Sequence, residues 1–129
     1  MYDHLVPRFI TFVKYDTRSD ESSQTVPSSP NQTAFAKEVL MPELEKVGLK
    51  DIFYNPANGF VTATLPANTD ENYPTIGFIA HMDTADFESK NVNPVFHEQY
   101  DGKDIVLNKE LDIVLSTKDF PNLKNYVGQ

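Results

Sequence analysis

The segment Thr75-Ile76-Gly77-Phe78-Ile79-Ala80-His81-Met82-Asp83-Thr84 constrains this chain more than any other. An apolar run, long enough for one buried strand, ends in a histidine, and two residues on comes an aspartate. A buried strand delivers the chain to the edge of a sheet, and in open α/β sheets that edge is where ligands bind. Side chains two apart on a strand point to the same side, so His81 and Asp83 can converge on one site. A neutral imidazole is a good zinc ligand. A carboxylate that accepts its other ring N–H fixes the tautomer and raises the basicity of the ring. The same pattern also describes a surface histidine followed by a turn-capping aspartate, and His-x-Asp alone does not separate the two readings.

Composition narrows the function class. With 129 residues the chain is one domain or part of one, and 40% hydrophobic residues with nine phenylalanines suffice for a core. A net charge of −8 argues against nucleic acid and against anionic membrane surfaces as partners. No stretch is long enough to span a bilayer, and the N-terminus lacks the pattern of a signal peptide. Cysteine is absent, so any metal must be held by histidine and carboxylates. A cytoplasmic protein is the expectation.

The local patterns predict a mixture of helices and strands. Leu5, Phe9, Phe12 and Val13 share one helical face, with Pro7 in the first turn, where a missing N–H costs least. Residues 16–29 form a polar loop, either a flexible excursion or a site-lining segment. A second helix starts with Ser29 as N-cap, Pro30 at its first position and Gln32 completing a capping box. Phe35, Val39, Leu40, Leu44 and Val47 form its buried stripe, Gly48 stops it, and Pro42 predicts a kink inside it. Strands are expected at 52–54 and 60–65, joined by a turn at Asn58-Gly59, and at 75–80 after an acidic loop. Residues 95–96 and 104–107 are expected to pair as a hairpin across Asp101-Gly102. Residues 111–115 form a further strand, and Asp119 caps a short helix over 120–126.

Several segments, in order, carry a resemblance. Gly77-Phe78-Ile79-Ala80-His81-Met82-Asp83-Thr84 resembles the His-x-Asp segment of the M20 family of co-catalytic zinc metallopeptidases. Arg8-Phe9 with Asp16-Thr17 is similar to the opening helix and loop of that family's tripeptide-cleaving aminopeptidases. Val26-Pro27-Ser28-Ser29 resembles their loop before the second helix. Ala63-Thr64-Leu65-Pro66-Ala67-Asn68 is similar to their second strand and turn, and Lys90-Asn91-Val92-Asn93-Pro94 to the stretch after the active-site strand. Together these cover nearly the whole chain.

The resemblance implies an α/β fold, the N-terminal part of a zinc-peptidase catalytic domain with helices packed on a mixed sheet, occupying residues 1–129 as a partial domain. It implies that His81 ligates one of two zinc ions. Asp83 becomes the catalytic-site aspartate, hydrogen-bonded to His81 rather than bound to metal. It also implies removal of the N-terminal residue from tripeptides. The bridging aspartate, the general-base glutamate, the other ligands and the lid domain are expected beyond Gln129. The chain alone is therefore expected to bind zinc weakly and to lack peptidase activity. Competing readings are a dipeptidase or deacylase of the same family, or a non-catalytic interaction module on the same scaffold. His4 and His97 are read as surface histidines. Asp70, Glu71, Asp86 and Glu88 are read as solvated loop charges, with a site-rim role for Asp86 as an alternative. Asn91 and Asn93 are read as turn formers, with a substrate-side role for Asn93 as an alternative.

Overall fold

The computed structural model describes residues 3–85 and 88–129. Asp86 lies outside the described residues. The chain is a mixed α/β fold made of two compact units, Met1–Asn93 and Pro94–Gln129.

In the first unit, α1 spans Leu5–Val13, α2 spans Pro30–Phe35, a π-helical turn spans Ala36–Leu40 and α3 spans Met41–Lys46. Strand β1, Lys50–Tyr54, pairs antiparallel with β2, Val61–Thr64. The core centres on Phe35, Ala36 and Val39, all buried. The Phe12 ring meets Phe35 edge-on at 5.3 Å, and the Tyr15 ring lies 5.6 Å from it. Edge-on contact sets the positive rim of one ring against the negative face of the other. Leu5 and Phe9 do not join this core and stay exposed. Instead the Arg8 side chain secures α1 by donating to Glu43 of α3 at 3.1 Å.

Pro42 explains the π turn. Proline has no N–H to donate, and its ring crowds the carbonyl four residues back. The helix widens just before it, with the Met41 N–H reaching back five residues to the Ala36 carbonyl. The expected kink is therefore an inserted π turn. Beyond it the helix closes in a Schellman motif: Gly48 N–H donates to Glu45 O at 2.9 Å and Leu49 N–H to Leu44 O at 3.0 Å. Gly48 takes φ 93°, which a side chain would strain. The capping box predicted at Ser29 is not made, since Ser29 has no side-chain cap bond. Its buried hydroxyl accepts from the Asp20 N–H at 3.4 Å, so the side chain serves the preceding loop.

The hairpin expected at 52–65 is present. The Asn55 carbonyl accepts from Gly59 N–H at 2.8 Å, and Gly59 sits at φ 76°. Asp51, at φ 53°, marks a register shift between Lys50 and Phe53.

Residues 75–80 differ from expectation. They form neither helix nor strand, and Phe78 is 94% exposed. A strand forms only against a hydrogen-bonding neighbour, and none of the described strands pairs with it. The apolar pattern predicts a buried strand, and the segment is neither a strand nor buried.

In the second unit, β3, Ile105–Asn108, pairs antiparallel with β4, Ile113–Leu115. The hairpin expected between 95–96 and 104–107 is replaced by this one. Its turn is fixed by Asn108, whose side-chain oxygen accepts from the N–H of Glu110 at 2.9 Å and of Leu111 at 3.0 Å. Such an Asx-type closure favours the partner nearest in sequence. The Asp104 carboxylate clasps the open end, accepting from Thr117 N–H at 2.7 Å and Thr117 Oγ1 at 2.8 Å. A 3₁₀ helix over Pro121–Tyr126 stands where a short helix was predicted. Buried Tyr100 exchanges backbone hydrogen bonds with the chain end, through Gln129 O and Gly128 N. No helix among the described residues is long and apolar enough to cross a membrane.

Phe35→Ala removes the ring on which α1 and α2 converge. It is expected to destabilise the first unit by about 3 kcal/mol, read as a lowered urea midpoint with an unchanged slope.

Candidate active site

His81 Nδ1 and Asp83 Oδ1 lie 2.9 Å apart. The two are separated by one residue in a segment that is neither helix nor strand, and the hydrogen bond itself brings their side chains together. An ionised carboxylate only accepts, so in the neutral ring Nδ1 carries the proton and Nε2 keeps its lone pair. The His81 side chain is 82% exposed, which leaves Nε2 open to a ligand. Metal-ligating histidines in general donate their other ring N–H to a carboxylate in this way. Among the described residues no group of three metal-ligating side chains assembles.

The second Asp83 oxygen faces the loop. Ser19 Oγ donates to Asp83 Oδ2 at 3.5 Å. The loop is also tied to the segment just after the site, where buried Ser89 donates to Asp16 Oδ1 at 2.6 Å. That bond is the main reason the Asp16 carboxyl lies below the ordinary aspartate value; burial opposes it, and the Arg18 N–H and the nearby Lys90 and Arg18 charges add to the lowering. Helix α2 supports the loop from behind. The Asn31 amide donates to Asp16 O at 2.7 Å and Arg18 O at 3.2 Å. The Gln32 amide donates to Thr17 O at 2.9 Å and to Ser19 Oγ at 3.0 Å.

The polar loop therefore lines the site, one of the two alternatives its composition left open. Ser19 and Ser89 are not singled out by the sequence, Asp16 enters it only through the Asp16-Thr17 resemblance, and Gln32 is assigned there to a cap. The available signal was the density of Ser, Thr and Asp in a long loop before a helix that opens with two amides. His4 and His97 are exposed, as are Asp70, Glu71 and Glu88, and Asn91 turns the chain at φ 55°.

No family model matches the chain. It is 56% identical over 128 residues to a protein named peptidase T from Fusobacterium nucleatum, an alignment covering 99% of this chain and 31% of that one. It is 55% identical over 130 residues to peptidase T of Enterococcus faecalis, covering 100% of this chain and 32% of the relative. To peptidase T of Bacillus licheniformis it is 55% identical over 129 residues, covering 99% and 31% respectively. The chain is similar, end to end, to part of peptidase T. It spans about a third of the length of these relatives, consistent with an N-terminal portion of such a peptidase.

The loop tether is sensitive to acid. A carboxyl depressed in the folded state stabilises above the ordinary aspartate range, and that contribution is lost as pH falls through the depressed value. The Ser89 and Arg18 amide signals are expected to shift on acidification with a midpoint below the usual aspartate range. Asp16→Asn removes that transition, and amide NMR across an acid titration checks both.

Proposed function

We propose that this sequence serves a cytoplasmic two-zinc aminopeptidase of the M20 family that releases the N-terminal residue of tripeptides. The observation that carries the reading is the 2.9 Å His81–Asp83 contact in a chain 56% identical to a peptidase T. His81 offers Nε2 as one zinc donor. Asp83 accepts the Nδ1 proton, holds the ring in the tautomer that binds metal, and does not itself ligate. The chemistry of the pair fits zinc, which favours imidazole nitrogen and carboxylate oxygen where thiolates are lacking. A zinc site takes at least three protein ligands, so this chain supplies one ligand and its orienting partner, and other parts of the protein supply the rest. When bound, paired zinc ions polarise the scissile carbonyl and turn water into a nucleophile near neutral pH. Ser19 and the loop behind it keep Asp83 facing His81.

Calorimetric zinc titration of this chain, beside a version extended to the full length of its relatives, tests the reading. The extended protein is expected to bind two equivalents tightly and to cleave tripeptides, while the 129-residue chain does neither. His81→Ala in the extended protein should remove one tight equivalent. Asp83→Asn should weaken zinc roughly 10- to 100-fold. An extended protein that binds no metal would refute the enzyme reading and leave an interaction module on the same scaffold. Metal-dependent turnover by the pure 129-residue chain would overturn the placement of the remaining ligands elsewhere.

A further inference from the structure

A continuous polar path runs from helix α2 to the imidazole. Gln32 Nε2 donates to Ser19 Oγ at 3.0 Å, Ser19 Oγ donates to Asp83 Oδ2 at 3.5 Å, and Asp83 Oδ1 meets His81 Nδ1 at 2.9 Å. Each direction follows from the group. An amide nitrogen only donates, so Gln32 occupies a lone pair of the Ser19 oxygen. That leaves the hydroxyl proton free to turn toward Asp83. A carboxylate held by one oxygen can rotate about its last torsion. Held at both oxygens, its plane is set.

The position of Ser19 has no packing explanation. It is exposed, lies in no helix or strand, and its hydroxyl contacts Gln32 and Asp83. The contact to Asp83 crosses 64 positions of sequence. At 3.5 Å it is long for an O–H···O bond, so its effect is directional rather than energetically large. Around it the loop is firm: buried Thr17 lies beside it, and Asn31 and Gln32 hold the carbonyls of Asp16, Thr17 and Arg18.

We propose that Ser19 and Gln32 are positioning residues for the His81–Asp83 pair, fixing the plane of the Asp83 carboxylate and through it the tautomer that leaves His81 Nε2 free for a ligand. The inference rests on reading that pair as a metal-holding unit, and it goes further by placing part of the pair's control in the 16–20 loop and the first turn of α2.

The test reads the ring nitrogens of His81 by ¹⁵N NMR in the 129-residue chain, at about pH 8 where an ordinary imidazole is neutral. In the unsubstituted chain His81 is expected mainly as the Nδ1–H tautomer. Ser19→Ala should move the tautomer ratio roughly two- to fivefold toward that of free imidazole, the size of one modest hydrogen bond. Gln32→Ala should act in the same direction, and Ser19→Thr, which keeps the hydroxyl, should restore the original ratio. The His4 and His97 signals serve as controls and should not move. If Gln32→Ala disturbs α2, seen as a displaced amide of Ala36, which donates to the Gln32 and Thr33 carbonyls, Ser19→Ala against Ser19→Thr decides alone. An unchanged His81 in Ser19→Ala with a shifted His81 in Asp83→Asn means that Asp83 orients the ring unaided. That overturns the positioning role and leaves the metal-holding reading intact. An unchanged His81 in Asp83→Asn as well overturns both.

Discussion

Two side-chain amides at the start of α2 hold the first unit's site together. Asn31 and Gln32 donate to the backbone carbonyls of Asp16, Arg18 and Thr17 at 2.7, 3.2 and 2.9 Å. These carbonyls belong to a loop with no ladder of its own, so without the amides they would turn to water and the loop would lose its path. With them, the loop presents Ser19 to Asp83 and the Asp16 carboxylate to Ser89. Helix α2 is in turn anchored by Phe35 against Phe12 and Tyr15. The order of dependence runs from an aromatic cluster, to a helix end, to a loop, to the imidazole.

Much of this was legible where the physics is local. The Gly48 stop, the Asn58-Gly59 turn and the antiparallel pair around it depend on neighbours within a few residues, and the sequence named them. His81 and Asp83 meet as their spacing predicts, although the strand that was to bring them together does not form. What could not be read depends on distant partners. Ser29 and Gln32 match a capping box, yet the loop at 16–20 competes for the same side chains and wins. It offers several carbonyls and hydroxyls, whereas a cap offers one bond to each. The second-unit hairpin failed for a related reason. Residues 95–96 had a plausible partner in 104–107, but the Asn108 turn and the Asp104–Thr117 clasp favour the closer strand. Loop closure over a shorter span costs less entropy.

Pro42 shows how one residue reshapes a helix without ending it. The expected cost of an internal proline is about 3 kcal/mol when the helix keeps its α register. Here the register itself changes, with the π turn at Ala36–Leu40 absorbing the missing donor just before Met41. The widening falls on buried Ala36 and Val39, next to Phe35. The small side chain of Ala36 suits that place, since a wider turn beside a large ring leaves little room. The irregularity therefore lies at the core that anchors α2.

The exposed segment at 75–80 sharpens the role of the loop. Burying a side chain such as Ile or Phe contributes about 1.5–3 kcal/mol, and neighbouring strands would also fix the register. Ile76, Phe78 and Ile79 are exposed and make no such contribution in this chain. A strand flanked on both sides sets the direction of the residues at its end. An extended segment without such flanks does not. The position of His81 must then come from contacts that the following residues make, and among the described residues those are the Asp83 link to Ser19 and the Ser89 link to Asp16. Both lead to the same short loop, and that loop leads to Gln32 and Asn31. A site on a segment outside any sheet is thus held from the side, through hydrogen bonds to a segment far earlier in the sequence.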